Sequence, residues 1–150
     1  MEFDQITKRM FIGGGPADAN DIQSLVNAGV TAIIDCRQLN DESLCLGALR
    51  SEITVLYNPT EDDGSQKPVS WFKNSLDFVN TIFTNPKAIV YAHCDAGVNR
   101  GPSTAYFLLR ALYGLFGDDA KHIIHIHRPV TIAGIRYADD ADAAIKALGL

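Results

Sequence analysis

Short apolar runs alternate with longer amphipathic stretches along this chain. The apolar runs predict four short strands, over residues 10–12, 30–35, 53–57 and 88–92. The amphipathic stretches carry apolar residues at helical spacing and predict helices over residues 18–28, 71–83, 101–115, 118–126 and 137–148. Strands that alternate with helices favour parallel βαβ units. We therefore expect one α/β domain over residues 1–150, with three layers in which helices flank a central, mostly parallel sheet.

The composition is typical of a globular domain. Of the 150 residues, 47% are apolar and 21% are charged, which is enough to form a substantial core. The net charge of −5, without a basic run, argues against binding to nucleic acid or to an anionic membrane. The sequence shows neither a membrane-spanning apolar run nor a signal-peptide pattern, so we expect a cytoplasmic protein. Separately, we expect a monomer.

The loop from Cys94 to Arg100, between a predicted strand and a predicted helix, has the chemistry of a phosphate site. A loop wrapped ahead of a helix can turn its backbone N–H groups onto an oxyanion, and the helix N-terminus adds partial positive charge. Arg100 offers two parallel donors, Gly97 supplies backbone freedom, and the local field favours a Cys94 thiolate. The predicted phosphate-binding residues are Asp95, Ala96, Gly97, Val98, Asn99 and Arg100.

A cysteine followed six residues later by an arginine is a weak signal alone, but its surroundings strengthen it here. A strand precedes the loop, and Gly101-Pro102-Ser103 opens a helix with proline near its first turn. The segment His93-Cys94-Asp95-Ala96-Gly97-Val98-Asn99-Arg100 resembles the His-Cys-x5-Arg signature of cysteine-dependent protein phosphatases, in particular the small dual-specificity branch. The resemblance covers about residues 10–128 and implies a parallel-sheet α/β fold and a phosphocysteine intermediate.

Cleavage of a phosphomonoester near neutral pH requires a proton donor for the leaving oxygen. The acidic loop Glu61-Asp62-Asp63-Gly64 follows a predicted strand and should emerge at the same sheet edge as Cys94. In several members of the resembled family the general acid is the Asp next to Gly in an Asp-Asp-Gly-x-x-x-Pro stretch, which implies Asp63. Ungapped spacing to the following helix selects Asp62 instead, and a solvated acidic turn is the third interpretation.

Two further positions depend on the resemblance. The family places Ser or Thr directly after the signature arginine, where its hydroxyl eases departure of the thiolate, but this chain has Gly101. We therefore expect slow hydrolysis of the intermediate. Cys36 directly follows the strand predicted over residues 30–35. In the phosphatases of regenerating liver a cysteine at that place forms a reversible disulfide with the nucleophile, whereas a buried, unreactive cysteine is the alternative. Cys45 is interpreted as structural.

Other polar clusters do not predict a cofactor or a metal. His122, His125 and His127 do not share one helical face, so we expect no metal site there. His93 is expected to fix the loop through hydrogen bonds and not to act as a base. The last predicted helix carries acidic residues that we interpret as its solvated face, namely Asp139, Asp140 and Asp142.

The expected substrates are phosphorylated proteins carrying phosphotyrosine or phosphoserine/threonine. The chain is too short for the added loops that deepen tyrosine-specific pockets, and a loop with Asp95 and no lysine disfavours highly anionic head groups. RNA 5′-phosphates and phosphoglucans are the alternative substrates. A rhodanese-like sulfurtransferase and a phosphate-binding module with little turnover are the alternatives of other classes.

Overall fold

The computed structural model describes residues 1–38, 47 and 51–150. Over these ranges the chain forms five strands: β1 (Phe3–Thr7), β2 (Met10–Gly13), β3 (Ala32–Asp35), β4 (Thr54–Tyr57) and β5 (Val90–His93). The helices are α1 (Ala19–Asn27), α2 (Val69–Ile82), α3 (Arg100–Tyr113), α4 (Gly117–His127) and α5 (Ala138–Ala147), with a 3₁₀ helix, η1 (Pro129–Ala133), after α4. Cys45 and most of the link between the second and third predicted strands lie outside the described residues.

The five strands form one sheet in the order β1-β2-β5-β3-β4. Strand β5 pairs in parallel with β2 on one side and with β3 on the other, and β3 pairs in parallel with β4. Only β1, an edge strand, runs antiparallel to its neighbour. The predicted mostly parallel α/β sheet is confirmed, and it places the carboxyl end of β5 near the middle of one sheet edge.

Apolar side chains on both faces of the sheet produce the layered core. Successive residues of a strand point to opposite faces, so Ile34 packs with the cluster under α2, α3 and α5, whereas Ile33 packs with the cluster under α1. Helix α3 lies at the centre of the larger layer, and its residues 100–109 are all buried. The start of α3 is therefore fixed against the sheet on which it packs.

Two of the acidic residues on the last helix are partly exposed and are also hydrogen-bonded to the rest of the protein. Asp142 accepts hydrogen bonds from the Tyr106 hydroxyl (2.7 Å) and from Arg110 (2.8 Å), and Asp140 accepts one from the backbone N–H of Lys67 (3.0 Å). None of these three partners is close to α5 in sequence, so the pattern of a single helix could not reveal these contacts.

Candidate active site

Cys94 directly follows β5, and Arg100 is the first residue of α3. Both side chains are buried, and Cys94 is 3% exposed. The Arg100 guanidinium donates to the backbone oxygen of Thr60 (3.0 Å) and to the Asp95 carboxylate (3.0 Å), while its Nε has no hydrogen-bond partner among the described residues. Burial acts to lower the pKa of Arg100, but the bond to Asp95 and the nearby Cys94 outweigh burial and raise it. Arg100 is therefore a permanent cation at the loop.

Arg128 holds the outside of this loop. Its Nε donates to the carbonyl oxygen of Gly97 (2.9 Å), its Nη2 donates to that of Ala96 (3.0 Å), and its Nη1 forms an ion pair with Asp4 (2.8 Å). No local sequence pattern indicates this role, because Arg128 follows a predicted helix and is far from the loop along the chain. Two consecutive carbonyl groups of the loop are thus directed at one buried guanidinium.

The neighbouring loop carbonyls are also held by the scaffold. The carbonyl oxygen of Asp95 accepts from the N–H of Gly15 (3.1 Å), and that of Val98 accepts from the N–H of Ile135 (3.1 Å). In a trans peptide the next N–H points opposite to the carbonyl, so the N–H groups of residues 96–99 point away from these partners. None of these four N–H groups donates a hydrogen bond to another described residue. The loop therefore presents four free donors on its other side.

Gly97 is required by this geometry. Its φ is +69°, in the left-handed region that side chains disfavour. A Cβ atom at this position would lie 2.5 Å from the carbonyl carbon of Gly13 and 2.8 Å from Arg128 Nη2. The sequence prediction that this glycine permits a tight ring agrees with these distances.

The two candidate acids have different surroundings. Asp62 Oδ1 accepts from the hydroxyl of Tyr137 (2.8 Å), and its Oδ2 accepts from the side-chain amide of Asn99 (3.4 Å), which belongs to the loop from Cys94 to Arg100. Asp63 Oδ1 instead accepts from the hydroxyl and N–H of Ser65 (2.7 and 2.9 Å) and from Lys67 (3.1 Å). These bonds, led by the Ser65 hydroxyl, hold the pKa of Asp63 well below its ordinary value. The geometry therefore favours Asp62 over Asp63, the residue implied by the resemblance.

His93 is fully buried at the entrance to the loop. Its Nδ1 lies 3.0 Å from the carbonyl oxygen of Cys94, and since a carbonyl can only accept, this nitrogen carries the proton. Burial lowers the pKa of His93 to about 4, against the opposing effect of Asp35, so the ring is neutral near pH 7. A neutral, buried ring bonded to the backbone orients the loop and is not placed to remove a proton from substrate.

Comparison with known proteins identifies the fold. No protein-family model matches the chain, and no curated protein sequence matches it significantly. The human tyrosine phosphatase-like serine/threonine/tyrosine-interacting protein superposes with a TM-score of 0.82 at 16% identity, over 99% of this chain and 98% of that one. Human DUSP28 (TM-score 0.77, 18% identity, 99% and 95% covered) and PTPMT1 (0.78, 18%, 99% and 96%) also match. The chain has the dual-specificity and protein tyrosine phosphatase fold.

In this phosphatase fold, helix α3 begins directly against the end of β5. A Cβ atom on Gly101 would lie 2.9 Å from Cα and 3.1 Å from the carbonyl carbon of His93. A serine or threonine there requires a backbone shift, which gives a physical reason for glycine. The next hydroxyl of the helix, on Ser103, accepts from the backbone N–H of Tyr137 (3.2 Å).

Cys36 is the neighbour of Cys94 across the sheet of the phosphatase fold. Strands β3 and β5 are paired with Asp35 opposite His93, and the N–H of Cys36 donates to the carbonyl oxygen of His93 (3.0 Å). Both cysteines are free and buried. Burial raises the pKa of Cys36, so it is a thiol near neutral pH, and its Sγ lies 3.6 Å from the hydroxyl of Thr104.

The described part of the chain contains no group of three or more side chains placed to hold a metal ion. His122, His125 and His127 all lie on α4. Within the same residues, no helix is long and apolar enough to cross a membrane.

Proposed function

We propose that this protein is a cysteine-dependent phosphomonoesterase that acts on phosphorylated proteins. The observation that carries the proposal is the loop after β5, where the carbonyl groups of residues 95–98 are all held outward and the N–H groups of residues 96–99 face the other way. Preorganised N–H donors beside a buried guanidinium match the oxygens of a phosphoryl group. Cys94 lies at the start of this ring, where a thiolate is positioned below the bound phosphorus.

The proposed reaction has two steps. The Cys94 thiolate attacks phosphorus and forms a sulfur–phosphorus bond as the ester bond breaks, and Asp62 gives its proton to the leaving oxygen. Asp62 then removes a proton from water, which attacks phosphorus and releases phosphate and the thiolate. Arg100 and the loop N–H groups hold the equatorial oxygens in both transition states.

The first experiment follows hydrolysis of p-nitrophenyl phosphate. Cys94→Ser should abolish phosphate release, and continued turnover by this variant contradicts the proposal. Asp62→Asn should slow the reaction by about 10²–10⁴-fold, the usual contribution of a general acid. Asp63→Asn is the matched control, because Asp63 is bonded to Ser65 and Lys67, and it should have a much smaller effect. The reverse order would return the assignment to Asp63.

A substrate panel addresses the class of phosphomonoester. We expect phosphotyrosine and phosphoserine/threonine peptides to be hydrolysed faster than 5′-phosphorylated RNA or a phosphoglucan, because Asp95 is 64% exposed beside Arg100 and repels polyanions. Faster release from the RNA or the glucan would change the substrate class and leave the mechanism intact. The structural neighbours are phosphatases and phosphatase-like proteins, which favours this panel over a thiosulfate sulfurtransferase assay.

Gly101 supports a second candidate, a phosphate-binding module with little turnover. Without a hydroxyl after Arg100, departure of the Cys94 thiolate in the second step lacks a hydrogen-bond donor at that position. We expect the phosphocysteine to accumulate and its hydrolysis to limit kcat. Tight vanadate binding without detectable turnover would instead identify the binding module.

A further inference from the structure

The hydroxyl of Tyr137 is inserted into the acidic loop. The Tyr137 side chain is fully buried, with 2% of the residue exposed. Its hydroxyl accepts a hydrogen bond from the N–H of Gly64 (3.1 Å) and donates one to Asp62 Oδ1 (2.8 Å). With Asp62 as a carboxylate these directions are fixed, because a backbone N–H can only donate and a carboxylate can only accept. Burial raises the pKa of Tyr137, so the hydroxyl proton is present across the neutral range.

The backbone of Tyr137 is also hydrogen-bonded to helix α3. The backbone N–H of Tyr137 donates to the hydroxyl of Ser103 (3.2 Å), in the first turn of α3, which begins at Arg100. Tyr137 therefore connects the loop that carries the proposed acid to the element that carries the proposed phosphate ligand. Within the described residues, Tyr137 contacts both of these parts through hydrogen bonds of its own.

A buried lysine, Lys67, lies against the ring of Tyr137. Lys67 Nζ lies 4.8 Å from the centre of the Tyr137 ring and also donates to Asp63 Oδ1 (3.1 Å). The backbone N–H of Lys67 donates to Asp140 on α5, the helix that Tyr137 precedes. The ring of Tyr137 is thus fixed by contacts that do not involve its hydroxyl, and a phenylalanine can occupy the same place.

We propose that Tyr137 is a positioning residue for general acid catalysis, which holds Asp62 Oδ1 so that Oδ2 faces the phosphate loop and delivers the proton. This inference rests on the proposed function, since it requires a phosphatase in which Asp62 is the acid. The contact to Asn99 shows which oxygen faces the loop (3.4 Å from Asp62 Oδ2). The charged groups that face Asp62 are Arg136, 3.8 Å away, and Arg100, which acts at longer range.

The test is Tyr137→Phe, which removes the hydroxyl and keeps the ring. The matched control is Tyr106→Phe, because Tyr106 is equally buried and donates a similar bond (2.7 Å) to a carboxylate, Asp142, outside the site. Both variants are assayed with two aryl phosphates. Phenyl phosphate releases a strongly basic phenoxide that needs the acid, whereas 2,4-dinitrophenyl phosphate releases a weak base that does not. The parameter is kcat/KM, which reports formation of the phosphocysteine and is independent of its slow hydrolysis.

For Tyr137→Phe we expect kcat/KM to fall about 10–100-fold with phenyl phosphate, which is the scale of a misplaced catalytic group, and to change little with the dinitrophenyl ester. Tyr106→Phe should not lower kcat/KM selectively for either substrate.

Three results would overturn the inference. These are an equal loss with both esters, no loss with either ester, and the same selective loss in Tyr106→Phe. A wild-type protein that hydrolyses neither ester would contradict the proposed function itself. If Asp63→Asn, and not Asp62→Asn, shows the leaving-group dependence, the phosphatase assignment stands and the role of Tyr137 does not.

Discussion

Arg128 is the residue whose removal tests the organisation of the loop. Replacing it by methionine keeps a long apolar stem and removes the guanidinium that binds the carbonyl oxygens of Ala96 and Gly97. The peptide planes that Arg128 orients are then free to rotate, so the N–H groups of Gly97 and Val98 no longer hold a fixed direction. We expect Arg128→Met to lose oxyanion binding together with stability.

The structure gives the size of the effect on stability. Each of the two hydrogen bonds from the charged guanidinium contributes about 1.5–3 kcal/mol. The ion pair to Asp4, whose side chain is 39% exposed, adds less than about 1 kcal/mol. The free energy of unfolding should therefore fall by roughly 3–6 kcal/mol, which in a domain of this size lowers the Tm by about 2–4 °C for each kcal/mol.

The assay combines urea denaturation with vanadate titration. Arg110→Met is the matched control, because Arg110 also binds a carboxylate (Asp142, 2.8 Å) and a carbonyl oxygen (Leu115, 3.3 Å), but at the far end of α3. Both variants should lose stability. Only Arg128→Met should weaken vanadate binding, by about tenfold or more, because it disturbs two oxyanion donors.

The reasoning about the loop is refuted if folded Arg128→Met binds vanadate as tightly as the wild type. It is also refuted if Arg110→Met loses as much affinity, since the loss would then follow general stability and not the direction of the loop N–H groups.

Three further changes have defined outcomes. Gly97→Ala forces a φ of +69° on a side chain 2.5 Å from Gly13, and should abolish vanadate binding in calorimetry. Burial lowers the pKa of His93 from 6.5 to about 4, so folding requires the neutral ring. The contribution of the neutral ring to the free energy of unfolding is complete above pH 6.5 and is lost as the pH falls through 4. Urea titrations should show that the free energy of unfolding falls by about 3 kcal/mol over this range, and by less in His93→Gln. Peroxide should convert Cys94 to a sulfenic acid that Cys36 attacks, giving a disulfide in non-reducing peptide maps, because the two cysteines directly follow the paired residues Asp35 and His93, and paired residues of adjacent strands lie about 5 Å apart.

Much of the scaffold follows from local sequence patterns. Buried parallel strands and amphipathic helices have strong periodicity, and the structure confirms the predicted α/β class with helix ends displaced by only one or two residues. Strand β1 was not predicted, because of its five residues only Ile6 is buried and an edge strand shows little hydrophobic pattern. Its pairing with β2 depends on backbone hydrogen bonds, which leave no mark on the side chains.

In the candidate site, too, some residues follow from a local sequence pattern and others depend on tertiary contacts. Cys94, Gly97 and Arg100 lie within one short segment of the sequence, so their pattern predicts a phosphate loop. Arg128 and Tyr137 reach the site from distant parts of the chain, through contacts that only the packed helices create. Which of the two adjacent aspartates is the candidate general acid depends on the hydrogen bonds that each side chain makes in the folded protein. Sequence spacing cannot resolve a difference of one residue.

The most direct test of the account is to trap the covalent intermediate. Wild-type protein is mixed rapidly with p-nitrophenyl phosphate, denatured, digested and analysed by mass spectrometry. We predict one added phosphoryl group per chain, on the peptide that contains Cys94, and none in Cys94→Ser. Release of phosphate from wild-type protein without any label on Cys94 would contradict the central claim.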